Sequence, residues 1–162
     1  MRAHVIIKLL LGLCILNSCQ KEFEEPNDTP VNTTSGFKAK INGVQFTATI
    51  YGAAIRTDSV ISIAGKSNDG QQIVFTVKDS GVHVYKLEMN SLSNFGAYTD
   101  AHSIAFSSNE GYNPGDAGGN LTIVVLDRVK RLISGTFNLK VFREDDRTQR
   151  IITEGTFNNI SY

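Results

Sequence analysis

The chain has 162 residues and a mass of 17.7 kDa, room for one domain of ordinary size and not for two large ones. Lys and Arg number 16, as do Asp and Glu, so no basic excess points to nucleic acid as a partner. With 41% hydrophobic and 20% charged residues, neither a globally disordered chain nor a polytopic membrane protein fits, and abundant Val, Ile and Thr beside 3 Pro and no Trp favour strands.

Arg2, His4 and Lys8 punctuate a start that runs into Leu9-Leu10-Leu11-Gly12-Leu13-Cys14-Ile15-Leu16, the charged-then-apolar pattern of a secretory signal over residues 1–18. A membrane span takes ~20 apolar residues, more than this interrupted run supplies. It ends in Leu16-Asn17-Ser18-Cys19, which resembles a bacterial lipobox: an apolar residue three places before the cysteine and a small one directly before it. That resemblance implies cleavage before Cys19, a diacylglyceryl group on its thiol and acylation of its amine. Two or more chains make a stable anchor where one is marginal, so the expected partner is a membrane, reached through lipid on Cys19. Cys14 falls in the leader, so the mature chain keeps Cys19 alone and has no internal disulfide. Stability has to come from apolar burial.

Residues 19–35 are polar, carry Pro26 and Pro30, and read as a disordered tether behind the lipidated cysteine. Gln20-Lys21-Glu22-Phe23-Glu24-Glu25 is similar to the surface-export signal of Bacteroidetes lipoproteins, which implies an outer-membrane location facing the cell exterior. Phe23 departs from that pattern by interrupting the acidic run. The alternative is the periplasmic face, with the glutamates only solvating the linker.

Residues 36–162 read as an all-β domain: a single antiparallel meander of about nine or ten strands, forming a β-sandwich or a closed or partly closed barrel. Residues 37–41 alternate, Asn42-Gly43 is a strong two-residue hairpin signal, and residues 44–51 alternate again with Val44, Phe46, Ala48 and Ile50 on one face. Residues 60–64 and 73–77 flank the turn Asn68-Asp69-Gly70, and 82–87 follow Asp79-Ser80-Gly81. Further strands are expected over 103–107, over 121–126 (apolar on both faces, hence central), over 132–142 and over 151–162. Ser134-Gly135-Thr136-Phe137-Asn138 is echoed by Glu154-Gly155-Thr156-Phe157-Asn158, as expected of two paired strands bulged or kinked alike.

The Phe37-x-Ala39-x-Ile41-Asn42-Gly43 opening, the Ile133-Ser134-Gly135-Thr136-Phe137 strand and the terminal Glu154-Gly155-Thr156-Phe157 strand resemble a family of Bacteroidetes lipoproteins of unknown function, the DUF6252-like group. These motifs are structural glycines and aromatics rather than catalytic residues. The resemblance implies the lipoprotein setting and the β fold, and no activity.

Two long segments, residues 90–102 and 108–120, are expected as loops on the β scaffold, where binding groups tend to be placed. They supply the candidate ligand-binding residues Phe95, Tyr98, Asp100, Tyr112, Asn113 and Asp116: amphipathic rings beside polar groups able to contact a glycan or an envelope protein. Arg128, Lys130 and Arg131, and the Glu144-Asp145-Asp146-Arg147 segment, read as solvated hairpin tips. His83 and His102 have no nucleophile motif near them, so no catalytic residue is assigned. No metal-ligand spacing is present, and the oxygen donors Glu110, Asn113, Asp116 and Asn120 are also what a turn wants, so no metal and no cofactor is expected. Asp58-Ser59-Val60 resembles an acceptor of Bacteroidetes O-glycosylation, making Ser59 a candidate modification site. The function expected is a non-catalytic surface binding or structural module. The alternative is a small glycan-acting hydrolase using Asp100 with Glu110 or Asp116 across the two loops.

Overall fold

A computed structural model describes residues 34–78 and 81–162; Cys19, the leader and most of the tether lie outside the described residues. Asn32–Tyr162 is a compact unit by itself. Among the described residues there is no helix, and eleven strands form one antiparallel sheet. They are β1 (Gly36–Ile41), β2 (Val44–Thr47), β3 (Ile50–Ile55), β4 (Val60–Lys66), β5 (Gln72–Lys78), β6 (Val84–Leu87), β7 (Phe95–Thr99), β8 (Ala105–Ser107), β9 (Gly118–Asp127), β10 (Leu132–Arg143) and β11 (Thr148–Ser161). The main path runs β2-β1-β11-β10-β8-β7-β5-β4-β3, with β6 and β9 attached beside the first part of β10.

β10 organises this arrangement. Its Leu132–Lys140 stretch pairs with β9, and Phe142 then pairs with Ser107 of β8, while β11 runs along its other edge. The two ends of the path are consecutive in the chain, separated only by Ala48 and Thr49. The Ala48 N–H donates to the Phe37 carbonyl on β1 and the Thr49 N–H to the Lys66 carbonyl on β4, both at 2.9 Å. That corner curls the sheet into a half-barrel around one apolar cluster.

The bend at Ala48–Thr49 corrects the single strand expected over 44–51. Phe46 and Ala48 are buried, but Val44 and Ile50 are 71% and 70% exposed. A period-two alternation survives only while the chain stays in one strand, so the corner resets it before Ile50, whereas Val44 is at the first position of β2, the end strand of the sheet, next to the Asn42-Gly43 turn. Both turn residues Asn42 and Gly43 have positive φ, 48° and 83°, as the hairpin signal requires. β9 does lie between β6 and β10, with Leu121 and Ile123 inside, although Val124 and Val125 stay exposed on it.

The echoed pentapeptides meet in register: Gly135 opposes Phe157, Thr136 opposes Thr156 and Phe137 opposes Gly155. Each glycine lies under the other strand's phenylalanine. A Cβ on Gly155 would stand 2.3 Å from the Phe137 ring, and one on Gly135 would stand 2.4 Å from the Phe157 ring and 2.1 Å from the Thr122 carbonyl. Register shifts flank the pair on both sides, so the expected bulging is present. The space so made lets Phe137 stand at the centre of the core, its centroid 4.8 Å from Phe75, 5.1 Å from Phe37 and 6.5 Å from Phe157.

Candidate functional site

The two segments expected as long loops are shorter than the sequence indicates, because β7 occupies the middle of the first and β9 begins at Gly118 in the second. Phe95 and Tyr98 are therefore strand residues. They sit three apart on β7, so they face opposite sides of the sheet. Tyr98 is only 4% exposed, inside the core beside Phe106 at 5.8 Å, and its hydroxyl donates to Gln71 Oε1 at 2.6 Å. Burial, and then the charge of Asp100, pushes its phenol pKa up. Asp100 closes the β7–β8 turn: its Oδ1 accepts the N–H groups of His102 and Ile104, each at 2.9 Å. The Ile104 amide is the largest cause of its lowered carboxyl pKa, with the His102 amide adding to it.

Tyr112, Asn113 and Asp116 are brought together. Asp116 Oδ2 accepts the N–H of Asn113 at 2.8 Å and that of Tyr112 at 3.0 Å, a closure that holds its own pKa down. Tyr112 stands up from this turn, 56% exposed. Its ring meets Phe142 edge-on at 5.8 Å, its hydroxyl donates to the Glu144 carbonyl at 3.3 Å, and the Arg147 guanidinium lies 5.1 Å from the ring centroid. Two side chains hold the turn's backbone from below: Lys140 Nζ donates to the Gly115 carbonyl at 2.8 Å, and Gln149 Nε2 to the Asp116 carbonyl at 3.1 Å.

The β10–β11 hairpin tip is thus more than the solvated turn expected of it. Arg143 pairs with Asp145 at 3.2 Å and Asp146 at 3.3 Å, which leaves Arg147 to stack on Tyr112. Arg147 adopts a positive φ of 58°, uncommon for a non-glycine residue. Nothing local in the sequence announces this contact, since the partners lie on separate elements. Beside it, Glu110, Arg143, Glu144 and Asp145 line an open cleft of about 430 Å³. Burial, and then the charges of Glu144 and Asp145, push the Glu110 carboxyl up.

Ser59 is exposed in the β3–β4 turn with φ 63°, next to Asp58, which pairs with Arg56 at 3.2 Å. The His83 ring packs against Tyr85 at 4.0 Å. Among the described residues no group of three His, Cys, Asp or Glu is arranged to hold a metal ion.

The motifs that shape this core, the Gly135–Phe157 and Phe137–Gly155 pairs above all, fall inside the stretch of 33–161 matched by the model of the family Domain of unknown function (DUF6252). The chain belongs to this family. No curated protein and no solved structure matches it. The DUF6252 match takes in all eleven strands, the Tyr112 turn and the cleft at Glu110, and leaves residues 1–32 outside.

Proposed function

We propose that this chain is a lipid-anchored protein of the outer membrane, tethered through Cys19 and facing the cell exterior, whose DUF6252 domain is a non-catalytic binding module for a glycan or an envelope protein. The observation that carries the binding reading is Tyr112: a half-open aromatic ring immobilised on three sides, by Phe142, the Glu144 carbonyl and Arg147. A ring fixed in advance contributes contact area without losing rotamer entropy on binding, which is how exposed aromatics anchor ligands. The leader and lipobox pattern of residues 1–19 supports the anchoring. Asp100 and Asp116 spend a carboxylate oxygen each on two backbone amides, a structural use that argues against a catalytic one.

Mass spectrometry of the native protein is expected to find an N-terminal Cys19 carrying acyl chains; an unmodified cysteine or a retained leader overturns the anchoring. Glycan-array and envelope pull-down assays are expected to find a partner whose binding falls at least tenfold in Tyr112→Ala. Binding indifferent to that change overturns the assignment of the face.

Glu110 favours the hydrolase reading, since a carboxyl raised by burial and flanked by Glu144 suits a general acid. Glycan hydrolysis abolished by Glu110→Gln would replace the binding reading.

A further inference from the structure

β3 has β4 on one side and, among the described residues, no strand on the other. The Arg56 N–H donates to the Val60 carbonyl at 2.9 Å and closes the β3–β4 hairpin. Counting back by twos along the unbroken register aims the backbone groups of Ala54 and Gly52 at β4, and those of Tyr51, Ala53 and Ile55 at the open side. Natural edge strands are guarded by lysine, proline or a bulge. β3 reads Ile-Tyr-Gly-Ala-Ala-Ile and has none of these. Its outer residues Ile50, Gly52 and Ala54, with Ser62 and Ala64 of β4, line a shallow, largely apolar groove of about 450 Å³.

We propose that β3 is a self-association edge, and that its occupant is the same strand of a second copy of this chain, antiparallel about a two-fold axis at Ala53. In that register Ala53 pairs with its own counterpart, and Tyr51 pairs with Ile55 of the second copy. Every outward N–H and C=O of the three residues then finds a partner. Gly52 faces Ala54 of the second copy, so the small outer residues run on from one sheet to the next without a clash. Charges do not oppose the pairing: β3 has none, and Arg56, which falls opposite Ile50 of the second copy, is already neutralised by Asp58. A six-residue strand is ~20 Å long, so the contact belongs among small interfaces of under ~1,200 Å² and is reversible. The inference is independent of the lipid anchor and of Tyr112.

Sedimentation velocity on the unit 32–162, which contains the whole described core, tests it over a concentration series reaching about 1 mM. The wild type is expected to pass from monomer to dimer, with amide exchange at Tyr51, Ala53 and Ile55 slowing as it does. Ala53→Pro removes an N–H that β4 does not use, and Ala54→Lys places a charge on the outer face; each is expected to weaken association at least tenfold. Unchanged thermal unfolding of Ala54→Lys shows that the fold is kept. A wild type that stays monomeric throughout, or variants that dimerise as well as it does, overturns the proposal.

Discussion

Tyr98 shows what a single side chain decides in this fold. Its ring belongs to the core and only its hydroxyl reaches the rim, where Gln71 accepts it. Tyr98→Phe removes that hydrogen bond and keeps the packing, so equilibrium unfolding is expected to show a loss of ~1 kcal/mol. Tyr98→Ala also opens a cavity and is expected to lose ~3–5 kcal/mol by the same measurement. The turn carboxylates set a pH dependence. Asp100 and Asp116 have pKa values lowered in the folded state, chiefly by amides they accept from Ile104 and Asn113. A depressed acid contributes stability above its unfolded pKa and loses it as the pH falls through the folded one. Acid titration of the unfolding midpoint is therefore expected to be flat near neutrality and to drop below about pH 4, with a shallower drop in Asp100→Asn. Glu110 has the opposite sign: its pKa is raised by burial, so its charged form opposes folding at neutral pH. Glu110→Gln is expected to melt slightly higher than wild type at pH 7 and no higher at pH 3–4.

At the scale of the element, the paired strands β10 and β11 hold the centre of the core by a reciprocal exchange of glycine and phenylalanine. The glycines are dictated by volume, because the positions a Cβ would take are filled by the Phe137 and Phe157 rings. Gly155→Ala is expected to cost ~1–3 kcal/mol in thermal or denaturant unfolding, the range of overpacked cores. In that background Phe137→Leu vacates the space, so the double variant is expected to lose less than the sum of the two singles. Gly135→Ala meets the Thr122 carbonyl as well as a ring, and is expected to be the worse of the two alanines because backbone cannot swing aside.

For the whole molecule, one apolar cluster joins side chains from ten of the eleven strands, from Phe37 of β1 to Ile160 of β11. A single cluster of this kind predicts one cooperative transition, with coincident loss of near-UV and far-UV circular dichroism for the unit 32–162. The unit contains no cysteine, so its midpoint is expected to be unmoved by reductant. Separate transitions for the β6–β9 flank and the main path would contradict this account of β10 as the strand that ties them together.

The amino-acid sequence by itself determined the β class, the hairpin at Asn42-Gly43 and the pairing of the two echoed pentapeptides. These depend on local backbone preference or on a repeated residue pattern, which a linear string displays. It misread β7 as loop, because Phe95-Gly96-Ala97-Tyr98-Thr99 carries a glycine and is flanked by turn-forming serines and asparagines; only the ladders to β5 and β8 make it a strand. The bend at Ala48–Thr49, the burial of Tyr98 and the stacking of Arg147 on Tyr112 were decided by tertiary structure alone. Each needs partners from distant parts of the chain, and closing the curled sheet is what brings those partners within reach.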